Sequence, residues 1–527
     1  MATQNRTAAP AAPGAGARPP GGASRAAVLA AVLLGVFTVP TSISGTAVAL
    51  PSIAADTGAG LAPLQWAVNG FNVAFACCTL AWGSIADVTG RVRAFALGAG
   101  IFAAASLGSA FAGDVYLLDA ARAAAGIGGA AVLACGSAIL STAFAGPARA
   151  RAFALFGTVA GVGLAAGPSL SGLIVDTAGW RWVFGGHALV MAVVLAAVPV
   201  IARGTPPAER TGARIDLPGT LLFVAAMLLL TTGIVQGAQW GWTGPGVLAL
   251  FAGAAVALAV FAAVERRRSH PMLDLALLRD ARFVGLCLVP VAASFGFVTV
   301  LTYLPGHLAV VGGRSPAEAG LIMVLLTLPV VALPIPAARF AARSASPLPL
   351  IHLSLACLVV GDLGLLLSGP DTPVAVTALP MLITGAGMGL SAGLIDRLAL
   401  ESADPAKAGM AAGFLNTLRL GSEAIAVAVY GALLATLVGG RIRDGIGDFP
   451  GAGDPGAVAE RLAGGHAEAA PTAPGGGAFA DFLVAAYDGA FHTVLLVLAG
   501  VCLMLAAAVA VLLRGGLRAA APAEEAR

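Results

Sequence analysis

Apolar runs of about twenty residues, separated by short polar or Gly/Pro-rich breaks, recur along almost the whole chain. They place membrane-spanning helices near 26–50, 64–85, 94–112, 116–141, 152–175, 183–201, 217–236, 246–264, 283–304, 317–336, 348–368, 373–395, 408–437 and 490–513. About fourteen spans predict an all-α polytopic membrane protein. Two breaks stand out: Arg203 to Asp216 carries prolines, and Glu265 to Arg282 opens on an Arg-rich run. The second continues through Leu273, Leu275, Leu277 and Leu278, the pattern of a helix lying along a membrane surface. They divide the chain into a disordered tail at 1–25, a six-helix half at 26–203, an insert of two extra helices with their linkers at 204–282, a second six-helix half at 283–514 and a tail at 515–527. Within the second half, 438–489 reads as one long Gly-, Ala- and Pro-rich loop with a short helical patch at 457–462 and no assigned chemistry.

Composition narrows the class. Of 527 residues 58% are hydrophobic and 10% charged, with a mean hydropathy of +0.92, far too little polar surface to coat a soluble globule of this size. Six cysteines, Cys77, Cys78, Cys135, Cys287, Cys357 and Cys502, all lie in apolar runs and none forms a metal-spaced group. Neither a disulfide, a metal site nor a cofactor is expected. The net charge of +3 matters through its distribution. With the N-terminus inside, the outer segments hold only Arg181, Arg314, Arg441, Arg443 and Arg461, and nearly all other basic residues face the cytoplasm. By the positive-inside rule both termini are cytoplasmic and the span count is even, and the expected location is the plasma membrane. Trp240 and Trp242 mark the outer interface.

The segment from Gly157 to Gly172 is span-length and built almost wholly of small residues. Gly163, Gly167 and Ser171 share one helical face, Gly157 and Gly161 another, so two neighbouring helices are expected to approach closely. Pro168 removes a backbone donor late in this helix and invites a kink. The turn after the second span runs from Gly83 through Asp87 and Gly90 to Arg91 and Arg93, and a weak repeat of it follows the corresponding span of the second half at 337–343. Two related halves are the architecture of a rocking transporter.

These strings together resemble the signatures of the fourteen-span drug:proton antiporters of the major facilitator superfamily. The Gly157–Gly172 string is similar to the antiporter motif, with Ser171 replacing a glycine. The Gly83–Arg93 turn resembles the superfamily's cytoplasmic loop, and Arg122 to Ala131 resembles the fourth-helix motif with Ala125 in place of Gln. Ala49-Leu50-Pro51, Gln65-Trp66, the 180–184 string and Gly409 to Arg419, with Asn416, add further signatures. The resemblance covers about 26–513 and implies a major facilitator fold of two six-helix halves plus two central helices. It also implies that Asp87 caps the start of the thirteenth span, near Ala408–Gly413, as a gate latch. One departure bears on mechanism: where the family's first span usually carries Asp and Asn ahead of Ala-Leu-Pro, this chain has Ser42 and Ala47.

Ionisable residues inside spans are costly, about 2.5–3.5 kcal/mol each on lenient scales. Asp119 and Arg122 lie three apart in the fourth span, and Arg419 and Glu423 four apart in the thirteenth, so each pair can meet on one face. Either each pair neutralises itself, or Arg122 and Glu423 share the proton coupling that Ser42 cannot perform. Asp362 has no partner visible in sequence. Gln65, Trp66, Asn69, Asn72, His187 and Asn416 are candidates for a substrate cavity; the alternative for Asn69 and Asn72 is hydrogen bonding between helices. His352 could also titrate near neutral pH. No P-loop is present. The expectation is a monomeric secondary exporter moving small amphipathic compounds outward as protons enter, with no enzymatic activity and no nucleic-acid partner. The alternatives are an exporter of one endogenous metabolite with altered coupling, a membrane enzyme, or a sensor on the same fold. The enzyme lacks its expected span-end cluster of acids and histidines.

Overall fold

A computed structural model of the protein describes residues 22–144, 146–205, 217–268, 279–343, 346–392, 394–402, 408–463 and 477–519. The described residues are almost entirely helical. Eleven helices are long and apolar enough to cross a membrane by length and composition, or twelve when the bent pair Arg181–Ala196 and Val198–Gly204 is joined. Helix Leu61–Thr89 and helix Leu217–Trp240, whose apolar stretch is Leu221–Gly237, bring the bundle to about fourteen.

The N-terminal half is built from α1 (Gly22–Thr57), α2 (Leu61–Thr89), α3 (Arg91–Ala110), α4 (Val115–Ala143), α5 (Gly146–Ala178), α6 (Arg181–Ala196) and its continuation α7 (Val198–Gly204). The α6/α7 bend of 41° falls where Pro199 opens the second piece. Tight turns set the entries: Gly90 takes φ +97° between α2 and α3 while its N–H still reaches Ala86 O, a conformation that only glycine adopts without strain. The core of this half is a cluster including Phe71, Phe95, Phe102, Val132 and Met191.

The C-terminal half runs from α10 (Ala281–Ala293) through a π-helical turn (Ser294–Val298) to α11 (Thr299–Val310). The next span is broken into α12 (Pro316–Ile322), α13 (Val324–Ala332) and α14 (Pro334–Arg343). Then come α15 (Leu348–Gly364), α16 (Val374–Ser391), the short α17 (Leu394–Ser402), α18 (Ala408–Gly445), the outer α19 (Pro455–Ala463) and α20 (Gly477–Ala519). A capping box of Ser315 and Glu318 starts α12. This half has its own core around Phe297, Leu301, Leu358, Tyr430 and Phe491. Separate cores in the two halves permit them to move as bodies.

Between the halves lies the hairpin of α8 (Leu217–Trp240) and α9 (Pro245–Glu265). α8 packs on α2 and α18, burying Val73, Cys77, Met227 and Ala424 in one cluster and Ala62, Ile234, Val235, Ala428 and Ala432 in another. α9 leaves Leu248, Val256, Leu258 and Val260 exposed, the surface of a helix that faces lipid. Trp240 and Trp242 are both exposed at the turn joining the pair. The loop expected at 438–489 is shorter than its composition suggested, because α18 continues to Gly445 and α20 begins at Gly477. Its helical patch is α19, which folds back so that Glu460 lies against Gly60 at the start of α2. The surface helix expected within 265–282 falls mostly outside the described residues.

The side of the bundle that carries the α1–α2 turn and α19 is called the distal end below.

Candidate transport site

Among the described residues Arg122 is the largest fully buried side chain, 1% exposed within the N-terminal half. The turn spacing of α4 aims it at α1 and α2. Its Nε donates to Ala67 O at 3.0 Å, its Nη1 to Ser42 Oγ at 2.9 Å and its Nη2 to Ser42 O at 3.4 Å. The guanidinium also lies 4.5 Å from the Phe71 ring centroid and 5.4 Å from that of Phe184, so aromatic faces take up part of the charge. Among the described residues no ion pair within 4 Å joins Arg122 to an acid. Asp119, one turn before it on α4, makes no hydrogen bond to it, and one carboxylate oxygen of Asp119 is buried without a hydrogen bond. Three of the five guanidinium N–H groups are directed instead at α1 and α2. Ser42 therefore occupies the place where an acid would neutralise Arg122, and offers a hydroxyl dipole instead.

Gln65, Asn69 and Asn72 fall on one face of α2 and are all buried, at 3%, 0% and 4% exposure. Both side-chain polar atoms of Asn69 lack a partner, as do Gln65 Oε1 and Asn72 Nδ2. Helix-to-helix hydrogen bonding leaves such atoms paired; unpaired ones aimed along a single face are suited to a ligand or water. Gln65 sits beside Gly431 of α18, where Tyr303 Oη also approaches, so a side chain at 431 would displace both. Tyr303 stacks on Tyr430 at 4.3 Å and donates to Val427 O at 2.8 Å. His187 on α6 is buried with its Nδ1 unpartnered, on the same helix as Phe184. Trp66 does not join this group: it packs into the apolar α2–α8–α18 cluster, because the two extra helices need an apolar seam there. The side chain of Asn416 lies outside the described residues.

In the C-terminal half, Arg419 and Glu423 line a cavity of about 110 Å³ together with Ser294, Val298, Met388 and Ser391. The π-helical turn shapes it. Ser294, at the start of that turn, is 2.9 Å from Ser422, next to Glu423; insertions of this kind recur at functional sites. The partners of Arg122 all belong to the N-terminal half, so the structure does not bring Arg122 and Glu423 together. Asp362 is fully buried near the end of α15 and both its oxygens lack hydrogen bonds. His352 is half-buried and Nδ1 is 2.8 Å from Leu348 O, a contact to the carbonyl four residues back on the same helix.

The small-residue stretch of α5 is the seam between α1 and the other half. A Cβ on Gly163 or Gly167 would overlap Phe37 O or the Ser44 and Gly45 atoms of α1, and one on Gly172 would overlap Pro316 O of α12. Gly45 faces Ser171 in the same way, and Gly320 of α12 meets Pro168 O. Thr41 Oγ1 donates to Gly163 O at 3.1 Å, Ser169 Oγ to Gly320 O at 2.8 Å and Thr327 Oγ1 to Ala165 O at 3.1 Å. Gly157 and Gly161 contribute nothing to this, with no heavy atom within 4 Å of an added Cβ. The helix remains unbroken through Pro168, since the neighbouring backbones meet it there.

At the distal end of this seam Asp176, near the end of α5, accepts from Ser315 Oγ at 3.0 Å and Ala317 N at 3.1 Å. A carboxylate of one half thus caps the first turn of a helix of the other, a contact sequence patterning did not indicate. The gate motif at the opposite end is partly visible. Gly90 makes the turn, Arg91 Nη1 donates to Ala138 O of α4 at 3.2 Å, and Arg93 is exposed. The surroundings of Gly83 and Asp87, and the side chains of the receiving residues at 408–413, lie outside those described.

The profile of the Major Facilitator Superfamily matches residues 32–427. The chain is 29% identical over 408 residues to multidrug resistance protein Stp of Mycobacterium tuberculosis, covering 77% of this chain and 75% of that one. It is 31% identical over 454 residues to a probable actinorhodin transporter of Streptomyces coelicolor, covering 82% and 77%. It is 33% identical over 414 residues to the puromycin resistance protein of Streptomyces alboniger, covering 76% and 79%. Among solved structures, a bacterial homologue of the human lysosomal transporter Spinster, described as inward-facing and unoccupied, aligns over 95% of this chain and 99% of its own with a TM-score of 0.64 at 16% identity. The match over most of the chain, together with the apolar membrane-length helices, makes the chain a multi-pass membrane transporter of the Major Facilitator Superfamily.

Proposed function

We propose that the protein is a secondary exporter of small amphipathic compounds, including antibiotics, driven by proton entry. It works as a monomer in the plasma membrane with both termini in the cytoplasm, so that the distal end faces outward. The observation that carries this reading is the inter-half contact set at the distal end, from Ala165–Thr327 to Asp176–Ser315. It belongs to a carrier closed on one side, whose halves must separate there for substrate to leave. Two of the relatives named above are described as resistance proteins and the third as a probable transporter, and resistance supports the outward direction.

In this reading Gln65, Asn69, Asn72 and His187 present polar groups to substrate, and the aromatic rings around Arg122 offer it apolar surface. Arg122 holds a fixed positive charge in the N-terminal half, bonded to Ser42 instead of an acid. Glu423 is the proton-carrying carboxyl, with Arg419 beside it at the cavity of about 110 Å³. Substrate and proton alternate because protonation removes the charge that Arg419 otherwise attracts. Asp87 serves as the latch of the cytoplasmic end in the opposite state.

Efflux of lipophilic cations and neutral antibiotics, followed in inverted vesicles with and without an imposed proton gradient, tests the proposal. Gradient-dependent accumulation is expected. Transport that persists unchanged after both pH gradient and potential are collapsed would overturn proton coupling, and no accumulation of any compound would overturn export.

A further inference from the structure

On α11 and α20, one turn beyond Tyr303 and against Phe491, three side chains turn their donor atoms toward one another. His307 Nε2 lies 2.8 Å from Asp488 Oδ1, and His492 Nε2 lies 3.6 Å from the same oxygen. The three donor atoms all fall within 4.8 Å of one another. We infer that His307, Asp488 and His492 form a binding site for a divalent transition-metal ion of borderline softness, with zinc as the reference ion.

The donor set points to that class. Two imidazole nitrogens and one carboxylate oxygen, with a fourth position left for water, match three-ligand zinc sites. Magnesium and calcium favour all-oxygen shells. The geometry agrees: bonds of about 2.0–2.2 Å in a tetrahedron put neighbouring donor atoms about 3.3–3.5 Å apart. The two His–Asp separations of 2.8 and 3.6 Å straddle that value and all three donor atoms lie within 4.8 Å of one another, so side-chain shifts of about an ångström admit the ion. A His307–Asp488 hydrogen bond alone would explain two of the three residues but not the third. His492 Nε2 is buried and has no hydrogen-bond partner, and 3.6 Å is too long to be one.

The ligands are held for the purpose. Asp488 and His492 are one turn apart on α20, hence on one face, and the His307 ring stacks on Phe491 at 4.1 Å. Side-chain exposures of 3%, 17% and 25% for His307, Asp488 and His492 leave access from the α20 side. Arg441 of α18 donates to Gly489 O and Thr493 Oγ1 and forms no ion pair with Asp488. Sequence spacing did not suggest a metal because His307 and Asp488 are 181 residues apart. Since α11 and α20 belong to the same half, a bound ion braces the C-terminal half without tying the two halves together.

Tag-free, full-length protein, stripped with a chelator, is titrated with Zn²⁺ against a chromophoric competitor, and thermal unfolding is followed in parallel. One equivalent of tight binding and a metal-dependent rise in Tm are expected, with Mg²⁺ and Ca²⁺ producing neither. His492→Gln removes a ring whose Nε2 makes no hydrogen bond, so its metal-free Tm should equal that of wild type while Zn²⁺ affinity falls at least tenfold. His307→Gln should lose affinity as well. Absence of a zinc-dependent shift in wild type, or undiminished binding by His492→Gln, overturns the site.

Discussion

Arg122 illustrates how much a single buried charge can reveal. Its guanidinium is removed from water and compensated by a hydroxyl, two carbonyls and two aromatic faces, with no carboxylate in ion-pair range. Such a charge is a poor stabiliser, because the desolvation cost exceeds what neutral partners return. Arg122→Met should therefore leave the thermal midpoint in detergent unchanged or raise it, while proton-driven efflux is lost. A midpoint well below wild type would make Arg122 structural. Ser42→Ala in the wild-type background should cost about 1.5–3 kcal/mol, the worth of a hydrogen bond to a charged group. In the Arg122→Met background the same change should cost almost nothing. Additivity of the two substitutions in this double-mutant cycle would show that the Ser42–Arg122 contact is not made.

At the scale of elements, α5 divides into a tight part and an open part. Glycines at 163, 167 and 172 lie where backbones of α1 or α12 leave no room for a methyl group, whereas 157 and 161 face open space. The consequences are opposite. Gly157→Ala and Gly161→Ala should leave transport near wild type and add a little helix stability, up to about 1 kcal/mol each from propensity. Gly172→Ala places a methyl on Pro316 O and should push the distal ends apart, raising cysteine-accessibility labelling from the distal side and slowing transport. Equal labelling in Gly172→Ala and Gly161→Ala would remove the α5–α12 seam from the conformational cycle.

For the whole molecule, the distal contact of Asp176 with the first turn of α12 is made between halves and so exists in one state only. Its removal should change the balance of states without unfolding either half. Replacing a capping Asp typically costs about 1 kcal/mol, which corresponds to about a fivefold shift toward the distally open form. Asp176→Ala should thus increase distal labelling several-fold with an unaltered Tm. Asp87→Asn, if it weakens the opposite latch, should shift labelling the other way. The same direction of change in both variants would contradict latches at opposite ends.

What the sequence by itself determined is the class, the spans and the family signatures. Each depends on local composition: a run of twenty apolar residues must cross as a helix because lipid offers its backbone no hydrogen bonds. All fourteen apolar runs correspond to helices, counting the broken ones as single spans. The roles of glycines along α5 were only half legible, since 157 and 163 look alike until the neighbours are placed. Residues brought together from distant spans were not legible at all. Ser42 meets Arg122 across 80 positions, Asp176 meets Ser315 across 139 and His307 meets Asp488 across 181. Trp66, grouped in sequence with Gln65, belongs to the seam with α8 because one step along a helix rotates a side chain by about 100°. Tertiary packing decided these pairings, for a hydrogen bond or an ion site depends on separations of a few tenths of an ångström that no periodicity in one helix can specify.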